Sequence, residues 1–221
     1  MSFVSGKIVN DNRAERRPYK SLLLVVVVLL GACTSKPIKK EAPPDWQSKQ
    51  AALAEINSWK MHARIGLRGM GRSGSASLIW VETPEQRNLR LLGPLGGGLV
   101  LLQQDATGAS IQDSKGRTWH GQDAGELIYR VTGWQIPVSG LRWWLLGLTE
   151  PGSKAESTVD AAHRLVSVQQ ASWKVSLEKY TLFGGHELPT SIVMETVASG
   201  EGERYIRIKV IVKDWTFRTR D

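Results

Sequence analysis

One thiol, four imidazoles and one glycine-rich hexapeptide are the parts of this 221-residue chain whose types could support chemistry. The thiol belongs to Cys33, the sole cysteine, which follows Leu30-Gly31-Ala32. Without a second cysteine it closes no disulfide within the chain, so packing must hold the fold. His62, His120, His163 and His186 lie far apart, and none has a second ligand at the helical or hairpin spacing of a metal site. No G-x-S-x-G nucleophile elbow occurs. Gly69-Met70-Gly71-Arg72-Ser73-Gly74 matches G-x-G-x-x-G, but a dinucleotide site needs a helix after the glycines and an acidic residue about twenty positions on. A strand pattern follows instead, with Leu89, Arg90 and Leu91 at the distal position, so the glycines read as a hairpin turn. The residues therefore point to no catalytic centre, no metal and no cofactor, and the chain reads as a non-enzyme.

Cys33 invites a different chemistry. Arg13, Arg16, Arg17 and Lys20 precede the apolar run Leu22 to Leu30, small residues close it, and Lys36, Lys39 and Lys40 follow. A transmembrane helix needs about 20 apolar residues; this run is shorter and has the three parts of an export signal. Leu-Gly-Ala-Cys resembles the bacterial lipobox. That resemblance implies a signal peptide over residues 1–32, cleavage before Cys33, a diacylglyceryl group on its sulfur and an acylated amine. The alternatives are a free cysteine behind an ordinary signal, or a short membrane anchor. Thr34, not Asp, follows the cysteine, which by the same resemblance implies lipid anchoring in the outer membrane, facing the periplasm.

Removing residues 1–32 leaves 24 basic against 19 acidic residues, scattered singly between apolar ones. Nucleic-acid binders carry a dense basic stripe or a recognition motif, so no nucleic-acid partner is expected. Nine tryptophans suit either a large apolar interior or an apolar ligand surface. The lysines and prolines of residues 33–45 make a tether that should not pack. Residues 46–221 then suit one domain, read as a monomer.

Asp45 can cap an amphipathic helix from Trp46 to Ser58, with Leu53, Ile56 and Trp59 at spacings of three. From Met61 the period becomes two: Met61, Ala63, Ile65 and Leu67 alternate with His62, Arg64, Gly66 and Arg68. Strands are predicted at 61–67, 75–82, 86–92, 99–104, 107–113 and 117–120, separated by turn residues as in an antiparallel meander. Asp123, with Glu126 three residues on, begins a helix that Gly133 ends. Ser139 can cap a second, Gly140 to Leu146, with Leu141, Trp144, Leu145 and Leu148 on one side. Further strands are predicted at 164–169, 172–180, 191–197 and 205–213. The fold class is mainly β with α: an incomplete antiparallel barrel of about ten or eleven strands, covered by three short helices and enclosing an apolar cavity.

Two stretches stand out. In Leu91-Leu92-Gly93-Pro94-Leu95-Gly96-Gly97-Gly98, the flanking Pro and Gly residues make a turn that cannot shelter Leu95. In Leu141-Arg142-Trp143-Trp144-Leu145-Leu146-Gly147-Leu148, the adjacent tryptophans point about 100° apart on a helix, so they cannot share one environment. With the lipobox, Trp46, Asp113-Ser114-Lys115-Gly116, Leu127 to Gly133, Ile136-Pro137 and Asp214-Trp215, these stretches resemble the LolB family across the expected mature chain. The resemblance implies an acceptor that takes acylated lipoprotein cargo from a LolA-like periplasmic carrier and inserts it into outer-membrane lipid without nucleotide. It implies membrane insertion at Leu95, in the loop with Pro94 and Gly96. Trp144, Leu145 and Trp173 are candidates for the cavity wall. A lipid-anchored scaffold or assembly factor binding a protein segment is the leading alternative reading, and an anchored envelope hydrolase the second.

Overall fold

The computed structural model describes residues 44–93, 98–197 and 205–218. Cys33, the signal, most of the expected tether and the tip of the Pro-Leu-Gly loop, Pro94, Leu95 and Gly96, lie outside the described residues.

Eleven antiparallel strands form one sheet in the order β6-β5-β4-β3-β2-β1-β11-β10-β9-β8-β7. They are β1 (Trp59–Gly69), β2 (Arg72–Glu82), β3 (Gln86–Leu92), β4 (Leu99–Asp105), β5 (Gly108–Gln112), β6 (Thr118–Gly121), β7 (Ala155–Val159), β8 (Leu165–Gln170), β9 (Trp173–Phe183), β10 (His186–Thr196) and β11 (Ile206–Phe217). Sequential hairpins make two meanders, and the pairing of β1 with β11 joins them. β6 and β7 remain edges, so the barrel is open. The glycine-rich hexapeptide holds a turn shorter than expected: only Met70 and Gly71 lie between the strands, both with positive φ, 54° and 70°, which matches the right-handed twist of the strands they join. Arg72, Ser73 and Gly74 already pair in β2.

The period of two sends one face of each long strand inward. Met61, Ala63 and Ile65 of β1 sit opposite Trp80, Leu78 and Ala76 of β2; Ile208, Val210 and Val212 of β11 continue the layer. Its outward partners, Arg64, Arg68, Arg207 and Lys209, are exposed. Three helices pack on this core: α1 (Pro44–Ala54), α2 (Ala124–Thr132) and α3 (Val138–Leu145).

α2 begins and ends as its sequence predicts. Asp123 accepts a hydrogen bond from the Glu126 N–H at 2.8 Å, and Gly133 adopts φ 74° and donates to Tyr129 O. The other two helices differ from expectation. α1 ends at Ala54, four residues early, because Trp59 is buried in β1 opposite Glu82 and Phe217, where pairing in the ladder outweighs the helical spacing. It also begins at Pro44, inside the expected tether, where proline suits a first turn. α3 starts at Val138 behind Pro137, with no side-chain cap; Ser139 lies within it. Gly140 lets the Trp144 ring fold back, since a Cβ there would stand 2.8 Å from the indole.

β7 has no counterpart in the sequence reading. Ala155-Glu156-Ser157-Thr158-Val159 lacks an apolar alternation because it is an exposed edge, where pairing to β8 and not burial makes the strand.

Candidate functional site

The concave side of the sheet is densely filled beneath α3. Trp59, Trp80, Trp144, Leu145 and Leu146 are all fully buried there, and Trp59 packs against Trp80 and Trp215 with ring centroids 5.6 and 4.9 Å apart. Free space lies toward one end of the strands, as a cleft of about 740 Å³ between the sheet and the α2–α3 segment. That size falls within the range of about 300–1,000 Å³ common for ligand pockets.

Each wall follows from local structure. The β1–β2 turn presents Met70, β11 begins with Ile206, and β10 ends in Thr196 and Val197, whose N–H donates to Ser172 O at 2.9 Å. Trp173, at the start of β9, faces the cleft while remaining largely buried. From the helical side come Glu126 and Tyr129 of α2, then Ile136, Pro137 and Val138 leading into α3. Tyr129 is 48% exposed. The buried lining residues Val138, Trp173 and Ile206 are apolar, and the exposed Asp123, Glu126, Gln135 and Ser139 bring polar groups to the cleft. Such a site can hold an aliphatic chain inside and a polar head at the rim.

The three cavity candidates therefore separate. Trp173 lines the cleft. Trp144 and Leu145 are sealed in the core, and the Trp144 indole N–H donates to Gln170 Oε1 at 3.1 Å. Trp143, half-buried, lies under the Arg142 guanidinium, 4.4 Å from its ring centroid.

Two buried polar residues that sequence reasoning passed over hold α3 in place. Glu82 Oε1 accepts from Arg142 Nε at 2.6 Å, while Oε2 accepts from Arg87 Nε and Trp80 Nε1, both at 2.9 Å. Gln170 Oε1 also accepts from the Glu150 N–H, and its Nε2 donates to Glu150 O and Ser153 O. A signal existed for both. Glu82 continues the inward series Leu78, Trp80, and Gln170 follows Val168 on the same face, so each places a polar group where the alternation calls for an apolar one.

Several shifted pKa values have structural causes. Burial raises the Asp160 carboxyl, but hydrogen bonds from Arg164 and the Ala162 N–H, with the Arg164 charge, outweigh it and leave the group below its ordinary value. Asp113 repeats the arrangement with Arg117 and Lys115. Burial pushes the Tyr180 hydroxyl up; it donates to Leu165 O. Among the described residues, no cluster of His, Cys, Asp and Glu could hold a metal ion, and no helix is long and apolar enough to cross a membrane.

Residues 57–215 match a family model described as outer membrane lipoprotein LolB. The outer-membrane lipoprotein LolB of Pseudomonas putida strain F1 is 31% identical over 173 residues, spanning 78% of this chain and 81% of that protein. The protein of the same name from Pseudomonas aeruginosa strain PAO1 is 29% identical over 170 residues, 77% and 80% of the two chains. Among solved structures, a LolA superfamily protein from Nitrosomonas europaea is similar at 10% identity and a TM-score of 0.49, covering 79% of this chain and 94% of that one.

Proposed function

This chain belongs to the LolB family, and on that premise we propose that it is an outer-membrane acceptor that receives acylated lipoproteins from a LolA-like periplasmic carrier and passes them into the membrane. Membership supports a role in outer-membrane lipoprotein localisation; the steps below are the mechanism we infer. The observation that carries it is the cleft at the end of the half-barrel, lined by apolar Met70, Ile136, Val138, Trp173 and Ile206 and by exposed polar groups of the α2–α3 segment.

A lipoprotein cargo bears about three acyl chains, and at about 0.8 kcal/mol per buried methylene their exposure to water costs tens of kcal/mol. Free diffusion across the periplasm is excluded on that ground. Transfer between two apolar sites is nearly balanced and needs no nucleotide. A difference of about 1.4 kcal/mol for each tenfold in affinity sets the direction. Cargo of that bulk fills more than the cleft, so binding displaces α2 from the sheet.

Two sequence assignments complete the reading, both on residues outside those described. Cys33 carries the lipid anchor and holds the domain at the outer membrane, facing the periplasm. Leu95 enters the bilayer and lowers the barrier to release. Its loop leaves the sheet at a fixed place: Leu92 pairs with Leu99, and the Gly93 N–H donates to Gly98 O at 3.0 Å.

The test is transfer of an acylated protein from purified carrier to this chain, without ATP, followed by insertion into vesicles. Leu95→Glu is expected to accept cargo as the wild type does and to insert it poorly. Failure of the folded wild-type chain to accept cargo would overturn the proposal, and equal insertion by both chains would remove Leu95 from it.

A further inference from the structure

We propose that the convex face of the sheet carries a docking site for anionic phospholipid headgroups, centred on Arg64, Arg68 and Lys209, which sets the domain against the membrane. The inference deepens the insertion step above and rests on that reading. In the sequence these cations are scattered; antiparallel register brings them together. Gly66 lies between Ser75 of β2 and Lys209 of β11, with Arg64 beside Ser77 and Ile211, and Arg68 beside Ser73 and Arg207. All three cations are exposed, and Arg64 and Arg68 flank Gly66 on the same face, each about 7 Å along the strand.

What separates this group from ordinary solvated charge is the space it surrounds. Nothing stands within 4 Å of the position a Cβ would take at Gly66, which shares the outward face with Arg64 and Arg68. The result is a depression of about 230 Å³ over Gly66, lined by Arg68, Ser73, Arg207 and Lys209. Glu195 pairs with Arg207 at 2.6 Å. Arg64, Arg68 and Lys209 have no carboxylate partner among the described residues. Uncompensated guanidinium and ammonium groups beside serine hydroxyls are donors for a phosphate oxygen.

Position selects a membrane as the source of that phosphate. Ser77 pairs with Arg64 on one side and Leu92 on the other, so the loop assigned to insertion leaves the sheet two strand spacings, about 10 Å, from the cations. Ile211, beside Arg64, adds an exposed apolar side chain to the same face. A carrier delivering lipid must meet the cleft, whose walls at Met70 and Ile206 belong to the concave side; the cations point the other way.

The experiment reconstitutes the acylated full chain into phosphatidylcholine vesicles with and without phosphatidylglycerol and measures amine-reactive labelling of Lys209, with exposed Lys154 as internal reference. Lys209 is expected to label severalfold more slowly on phosphatidylglycerol, with the difference abolished at 1 M salt, where screening acts over about 3 Å. In Arg64→Gln/Arg68→Gln the docked fraction falls, by about fivefold per cation near an anionic surface, and cargo insertion slows on phosphatidylglycerol alone. Equal labelling of Lys209 on the two vesicle types overturns the proposal. Protection that appears only on adding carrier, whatever the lipid, overturns it too and assigns the face to the carrier. Labelling is read without cargo, so loss of cargo transfer on both vesicle types is a failure of the function and not of the docking face.

Discussion

α2 and α3 cover the same sheet, yet they are held by different physics. α3 is bolted: Arg142 reaches the buried Glu82 carboxylate, Trp144 reaches the buried Gln170 amide, and five of its residues are buried. α2 lies on grease, with Ala124, Leu127 and Ile128 buried and one side-chain hydrogen bond to the sheet, from the exposed Arg130 to His120 O. Apolar contact is non-directional and can re-form against another apolar surface, such as an acyl chain. Uncovering Leu127 and Ile128 costs about 1.5–3 kcal/mol each, which incoming methylenes can offset. Moving α3 would strip partners from a buried charge, at a cost of several kcal/mol that no lipid tail replaces. On the proposed mechanism, the comparison makes α2 the part that opens and α3 the fixed jaw.

The strongest way to break this difference is to unbolt α3. Glu82→Ala leaves Arg87 and Arg142 facing a site with no carboxylate and is expected to destabilise the chain by about 3–5 kcal/mol in chemical denaturation. Glu82→Met combined with Arg142→Met should recover part of that loss, because no charge remains unpaired at α3. Gln170→Leu comes next: it strands the Trp144 indole N–H and the Glu150 backbone, at about 1–3 kcal/mol for each buried group left unsatisfied. Its effect on hydrogen exchange should fall on α3.

Asp123→Ala sharpens the comparison from the other side. Losing the cap costs about 1 kcal/mol and should speed exchange in α2 while leaving α3 protected. Equal acceleration in both helices would show that they move as one lid.

The smallest effect concerns acid stability, where the long Asp160 and Asp113 turns are the sensitive parts. Both carboxyls lie below their ordinary values in the fold, so their contribution is complete above the unfolded carboxylate range, about pH 4, and is lost as pH falls through the folded values. Asp160→Asn should be less stable than wild type at neutral pH, with the gap closing below about pH 4 in thermal melts.

Much of this was legible in the sequence because it depends on local rules. The period of two located ten strands, and Asp123 with Gly133 gave α2 its ends. The edge strand β7 was hidden because pairing alone makes it, and α1 ran too long because Trp59 fits a helical spacing while the sheet claims it. The site was read in part. Trp144 and Leu145 carry the same apolar signal as Trp173, and only the packing of α3 decides that two are sealed in the core and the third meets open space. The cations of the outer face were passed over for the opposite reason: Lys209 lies 145 positions after Arg64 and 141 after Arg68, and register alone makes them neighbours.

The central claim is that acyl chains occupy the cleft between α2 and the sheet. A photoreactive side chain placed at Ile136, inside the cleft, or at Ser157, on the exposed β7 edge, tests it when carrier delivers a lipoprotein with labelled acyl chains. Cross-linking of the acyl label at Ile136 and not at Ser157 is the predicted result. Transfer that proceeds with no acyl cross-link at Ile136 would contradict the account.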